Sequence, residues 1–167
     1  MAERNLPCWV DSDRKLLEIA TRPCVTWEEC RMEELVRRFY AELWNRWDDA
    51  AVDELLDEAF VFRGSLGDQV RGRDGFRSYR DKIRSAFPDF HNQIVDLVTD
   101  GDRAAARLRY SGHHQGEVFG VAPSGIRVVY EGAAFFTARG GQLHEVWVLG
   151  DVAGLRRQLA GGSDATP

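Results

Sequence analysis

The period of the apolar pattern changes once along this chain, at Pro88, and that change limits the fold more than any other feature. Upstream, Leu35, Val36, Phe39, Tyr40, Leu43, Trp44 and Trp47 recur at the i, i+3/i+4 spacing of one helical face. Thr26-x-x-Glu29, just before them, has the form of a capping box. Asp48-Asp49 ends this helix and caps a shorter one carrying Val52, Leu55 and Leu56. Phe60-Val61-Phe62 reads as a short strand stopped by Gly64. A third helix runs from Gly72 to Ala86, with Phe76, Tyr79, Ile83 and Phe87 on one face and Pro88 as its stop. Downstream the period is two. Phe90–Thr99, Arg103–His114, Ile126–Ala138 and Gln142–Gly150 read as strands, with tight turns at Asp100-Gly101 and Gly140-Gly141. Val152–Leu159 closes with a turn or two of helix.

Helices followed by a meander imply an α+β fold, in which three N-terminal helices cover the concave face of a cone-shaped, curved antiparallel sheet. The 167 residues, 44% of them apolar, suit one domain over 27–160, preceded by an arm (1–26) and followed by a flexible tail (161–167). A net charge of −5 argues against nucleic acid as a partner. No apolar run approaches the ~20 residues of a membrane span, and the N-terminus lacks a signal peptide's apolar stretch. A cytoplasmic protein without a membrane partner is expected. Cys8, Cys24 and Cys30 are odd in number and have no neighbouring histidine, the pattern of reduced thiols rather than of disulfides or zinc. Arg71, Arg73, Arg77, Arg80, Lys82 and Arg84 read as a solvated basic helix face.

Strand alternation sorts the sheet into two faces. Ala104, Ala106, Leu108, Tyr110 and His114 share one face of their strand; Ile126, Val128, Tyr130, Ala134 and Phe136 share one face of the next; His144, Val146 and Val148 share one face of the last. These are assigned to the concave side. Arg107, Arg109, Glu131, Phe135, Glu145 and Trp147 fall outside. Exposed aromatics among charges have the composition of a subunit interface, so a homodimer is expected through this face. The arm would then either reach across the partner or cover the pocket mouth. A bulge at Gly150 would turn Asp151 inward.

Three motifs carry a family resemblance: Gly-x-His-x-Gly at Gly112–Gly116, Gly-x-x-Pro at Gly120–Pro123, and the closing Asp151…Leu155…Gln158-Leu159. Over about Met32–Leu159 the chain resembles the SnoaL-like polyketide cyclase (ester cyclase) branch of the nuclear-transport-factor-2-like superfamily. The resemblance implies a pocket on the concave face of one curved sheet, with ring closure by intramolecular aldol condensation and no metal or cofactor. It also implies a proton-transferring aspartate on the last strand. In this chain Val148 stands at that position, and Phe62 and Ala134 stand at the family's other polar pocket positions; His114 matches the motif histidine.

The candidate acid–base groups are therefore His114, Tyr110, Tyr130 and Asp151. Phe62, Ala134, Phe136, Val146, Val148, Tyr40 and Trp44 are the candidate ligand-binding residues. His114 is either tied to a turn backbone or a general base, with an unperturbed pKa of about 6.5. Tyr110 and Tyr130 are either core aromatics or hydroxyls that polarise a carbonyl. Glu145 and His144 read as interface and rim residues, and Arg107 is expected to pair with a carboxylate such as Glu145 or Asp151. No metal-ligand pair, nucleophile elbow or phosphate loop is present in the sequence. Two functions follow: a cofactor-independent cyclase or isomerase for a small hydrophobic, polyketide-like substrate, or a non-catalytic module of the same fold that binds such a ligand or docks a partner.

Overall fold

The computed structural model describes residues 27–161. The arm, Cys8, Cys24, the capping Thr26 and nearly all of the tail lie outside the described residues. Helix α1 (Trp27–Arg38) continues directly into a π-helical turn, Phe39–Trp44, and is followed by α2 (Ala50–Leu55), β1 (Leu56–Arg63), β2 (Gln69–Arg71) and α3 (Gly72–Ala86). Then come β3 (His91–Asp100), β4 (Arg103–His113), β5 (Arg127–Arg139), β6 (Gln142–Gly150) and α4 (Val152–Leu159). The fold is α+β, as the change of period implies.

The six strands form one open, curved sheet in the order β2-β1-β6-β5-β4-β3. Neighbouring strands run antiparallel except β1, which lies parallel to β6. The sheet is thus mixed, because its helical half donates a strand to the edge that the meander leaves open. β1 is longer than the Phe60–Phe62 segment suggests, and Leu56 opens it rather than closing α2. β2 has no apolar alternation to announce it. At Gly140 and Gly141 φ is +58° and +86°, the two positive values that a two-residue hairpin turn with the strands' own twist requires.

The concave face holds the core. Ala104, Ala106, Leu108, Tyr110, Val128, Tyr130, Ala134, Phe136, Val146 and Val148 are all buried. Phe39 centres the cluster, with the rings of Tyr40, Phe76, Phe136 and Phe62 at 5.2, 5.7, 5.8 and 6.5 Å. The π-helical turn widens the helix here. Asn45 N–H reaches back to Tyr40 O at 2.9 Å, and Phe39, Tyr40, Leu43 and Trp44 are all buried. The chain leaves the turn through Trp47, whose φ of +57° is unusual for an aromatic residue. Trp47 is held by Trp44 at 6.0 Å and by the Arg84 guanidinium at 5.5 Å over its ring.

Three expectations change. The bulge falls near the start of β6, not at Gly150: Gly132 pairs regularly with Gly150, while the register slips between Thr137 and Ala138. The slip turns Leu143 fully inward and leaves His144 half-buried, 3.7 Å from Asp57. The basic residues of α3 do not form a free solvated face. Arg80 is buried and donates to Asp49 at 2.6 Å, and Arg77 joins Asp49, Asp53 and Asp74, so the charges bind α3 to α2. Arg107 pairs with Asp96 of the adjacent strand at 2.7 Å rather than with Glu145 or Asp151.

Gln158 explains one of the closing motif residues. Its amide donates to Val129 O at 2.8 Å and accepts from Val129 N–H at 2.9 Å, so it pairs with the β5 backbone as a strand residue would. Among the described residues no helix is long and apolar enough to cross a membrane.

Gly132 and Gly150 face each other on β5 and β6, and both are needed for close approach. A Cβ on Gly132 would collide with the Leu149 carbonyl and lie 2.7 Å from the Tyr110 ring. A backbone carbonyl cannot rotate away, so Gly132→Ala is expected to cost about 3 kcal/mol, the upper end of the overpacking range. Urea denaturation will check this; an unchanged midpoint would show that the strand pair can spread.

Candidate functional site

A narrow cavity lies between the π-helical turn, α3 and the concave face. Its lining is Phe39, Tyr40, Trp44, Phe62, Gly64, Ser65, Leu66, Tyr79, Ile83, Phe90, Asn92, Tyr110, Tyr130 and Val148. The cavity is small, with a volume of about 30 Å³. Its walls are aromatic and closely spaced: Tyr110 and Tyr130 are 4.9 Å apart, and Phe90 stacks on Tyr110 at 5.8 Å.

The chain has four tyrosines, and all four line this cavity. Burial raises every one of these phenols above its ordinary range, and for Tyr110 and Tyr79 the neighbouring Tyr130 adds to the effect. They remain protonated and offer O–H groups, not phenolates. The Leu66 backbone N–H beside the Tyr79 hydroxyl and the Ser65 hydroxyl beside that of Tyr130 offset part of this rise. The Tyr40 and Tyr110 hydroxyls are near enough to influence each other's ionisation, yet neither makes a hydrogen bond of good geometry.

Of the candidates from the sequence, Tyr40, Trp44, Phe62, Tyr110, Tyr130 and Val148 come together here. Ala134, Phe136 and Val146 share their face but lie in the packed core, where the sheet's curvature brings the helices down onto them. Asp151 is exposed, and its carboxylate accepts from Gly154 N–H at 2.8 Å as the N-cap of α4. With no bulge at Gly150, alternation keeps it outside.

His114 also lies away from the lining. Its N–H donates to Ile126 O at 2.9 Å, and its carbonyl accepts from Gly125 N–H at 2.8 Å. Nδ1 accepts from Ser124 N–H at 3.3 Å and meets Ser124 Oγ at 3.0 Å. An Nδ1 that accepts from a backbone N–H leaves the ring proton on Nε2, so the neutral ring can donate there but not accept. Its ring packs on Phe87 at 5.7 Å.

The rest of the Gly-x-His-x-Gly motif is a joint. Gln115 and Gly116 N–H groups cap the end of α3 by donating to Ala86 O at 2.8 and 3.1 Å, and a Cβ on Gly116 would strike the Ser85 carbonyl. Asp89 holds the same joint from the other side through the His113 backbone N–H at 2.7 Å and its ring at 2.5 Å.

Sequence reasoning missed Phe39, Gly64, Ser65, Leu66, Tyr79, Ile83, Phe90 and Asn92. Tyr79 and Phe90 carried a signal, as apolar-face aromatics beside the helix stop. Gly64 carried none: a Cβ there would overlap the Tyr79 hydroxyl, a contact only the folded chain creates.

A SnoaL-like polyketide cyclase family model matches residues 34–159. The chain belongs to this family. No curated protein matches it. Among solved structures, a protein from Jannaschia sp. CCS1 described as a candidate SnoaL-like polyketide cyclase superposes with a TM-score of 0.77 at 22% identity, over 87% of this chain and 100% of that one. TsrD from Streptomyces laurentii gives 0.71 at 28% identity, over 83% and 100%. AclR from Streptomyces galilaeus, described as a candidate hydroxylase, gives 0.69 at 25% identity, over 83% and 86%. This SnoaL-like chain carries Val148 in its cavity wall, and among the residues lining the cavity there is no carboxylate, imidazole or cationic group.

The buried phenols set an alkaline limit on stability. Tyrosines whose folded pKa is raised stabilise the fold fully below the unfolded value of about 10, and the contribution is lost as pH rises above it. Spectrophotometric titration is therefore expected to show almost no tyrosinate at pH ~10. All four should then ionise together with loss of the near-ultraviolet circular dichroism. Independent ionisation near pH 10 in the folded protein would contradict the burial.

Proposed function

We propose that this protein is a cofactor-independent cyclase- or isomerase-type catalyst for a small, hydrophobic, planar polyketide-like metabolite. It acts by holding that ligand and donating hydrogen bonds to it. The observation that carries the reading is the lining itself: a flat aromatic slot whose titratable groups are four phenols, all held protonated. Acceleration then comes from fixing the reacting atoms in one conformation and polarising a carbonyl with O–H donors in a dry site. Tyr40, Tyr110 and Tyr130 are the proposed donors. His114 and Asp151 hold the α3 joint and the α4 cap, and a proton acceptor would have to belong to the substrate itself.

A second reading is favoured by one feature. With Val148 in the wall and no base in the lining, the cavity has what binding needs and lacks what classical aldol chemistry needs. The same pocket would then store or deliver its ligand unchanged.

The two readings separate in one experiment. Native mass spectrometry of the purified protein identifies a retained ligand, which is then incubated with fresh protein. Conversion supports catalysis, and recovery unchanged supports binding alone. In the catalytic case Val148→Trp, which fills the slot, is expected to abolish turnover, whereas Asp151→Asn keeps it within about twofold, as for a cap residue. Loss of turnover in Asp151→Asn with an unchanged melting temperature would return the chemistry to Asp151.

We also propose a homodimer through the outer sheet face. Phe135, Trp147 and Leu149 are 48%, 43% and 49% exposed and adjoin one another, with Arg63 over the Trp147 ring at 5.3 Å. A patch of this kind is one that soluble proteins usually cover. Light scattering at micromolar concentration is expected to give twice the chain mass, and Trp147→Glu to give a monomer. A wild-type monomer would remove the proposal.

A further inference from the structure

Three polar residues of the cavity are buried and have unused hydrogen-bonding capacity, two on one row of the sheet and one facing that row. Asn92 on β3 pairs with Tyr110 on β4, and Tyr110 with Tyr130 on β5, so their side chains stand side by side across the concave face. Tyr40 approaches this row from the π-helical turn. Asn92, Tyr40 and Tyr110 are each less than a tenth exposed. The Tyr40 and Tyr110 hydroxyls face each other without a hydrogen bond of good geometry and have no other partner. The Asn92 side-chain amide donates only a long 3.4 Å bond to Asn45 Oδ1, and its own carbonyl oxygen accepts nothing.

The Asn92 backbone, by contrast, is firmly held. Asn45 Nδ2 donates to Asn92 O at 3.0 Å, and Asn92 N–H donates to Asn45 Oδ1 at 2.8 Å. The fold therefore positions this residue through its main chain and leaves the side chain to the cavity. Buried donors and acceptors without partners are costly, and a chain under selection for stability alone would place phenylalanine and leucine here. The lining contains no charged residue, so an ionised ligand would lie unpaired in an apolar slot.

We propose that Tyr40, Tyr110 and Asn92 form one recognition set for a neutral, planar ligand that carries both a carbonyl and a hydroxyl. The two phenols donate to the carbonyl oxygen, and the Asn92 side-chain carbonyl accepts from the hydroxyl. The inference rests on the reading that the cavity holds a flat hydrophobic ligand. It adds which oxygen functions that ligand presents and excludes carboxylates and amines. All three are positioning residues, and Asn92 is a specificity determinant.

The test uses the full chain and three neutral probes: a naphthalene bearing an acetyl group on one ring and a hydroxyl on the other, acetylnaphthalene, and naphthol. By calorimetry the wild type is expected to bind the doubly substituted probe roughly tenfold more tightly than either simpler one. In Asn92→Leu, which keeps the backbone clamp to Asn45, its affinity falls to that of acetylnaphthalene, whose own binding is unchanged. In Tyr40→Phe/Tyr110→Phe it falls to that of naphthol, whose binding is likewise unchanged. The phenylalanine variant melts at or above the wild-type temperature, which a merely structural pair of tyrosines would not allow. If the wild type binds all three probes equally, or a variant weakens all three alike, the recognition set is wrong while the flat-ligand cavity stands. If no probe binds the wild type, both fall.

Discussion

Phe39 packs at the point where the helical layer meets the hollow of the sheet, and the other elements are arranged around that contact. It receives rings from its own turn, from β1, from α3 and from β5. Because these rings meet edge-on or tilted, they interlock without closing the space beside them, where Tyr40 and Trp44 stand. In the π-helical turn Phe39, Tyr40, Leu43 and Trp44 are all buried, and the Asn45 N–H bond back to Tyr40 O widens the helix where it meets the sheet. The site is thus a by-product of how the core is closed, with the same residues serving as structural rings on one side and cavity wall on the other.

That origin explains the chemistry. A cavity bounded by a packed aromatic core buries the groups that line it, and buried phenols keep their protons. The imidazole and the carboxylate that the sequence offered sit elsewhere for structural reasons: His114 is pinned in the β4–β5 loop by Ser124, and Asp151 caps a helix. Hydrogen-bond donation and shape are what the pocket has to offer. Gly64, Gly132 and Gly150 complete it by clearing room for Tyr79, Tyr110 and Tyr130.

Much of this could be read in advance where the physics is local. Alternation assigned Tyr110, Tyr130 and Val148 to the concave face, because successive side chains on a strand must point to opposite sides. The family register placed an apolar residue at Val148, and the structure keeps it in the wall. Reading failed where geometry is collective. One slipped residue near the start of β6 exchanged Leu143 for His144. Arg80 looked like a surface charge until Asp49, distant in sequence, was brought against it. Asn92, one residue into β3, seemed unremarkable because its importance comes from a register partner on another strand.

By itself the sequence determined the elements other than β2, their order, the inner and outer faces of the meander up to the slip at His144, and the absence of a carboxylate at position 148. These depend on periodicity, turn chemistry and residue identity, which act over a few positions. Only the tertiary structure decided that β1 runs parallel to β6, that His114 belongs to a loop joint, and that all four tyrosines converge on one slot. Those outcomes depend on pairing between segments far apart in the chain and on how tightly rings and glycines pack, and neither is encoded in any local pattern.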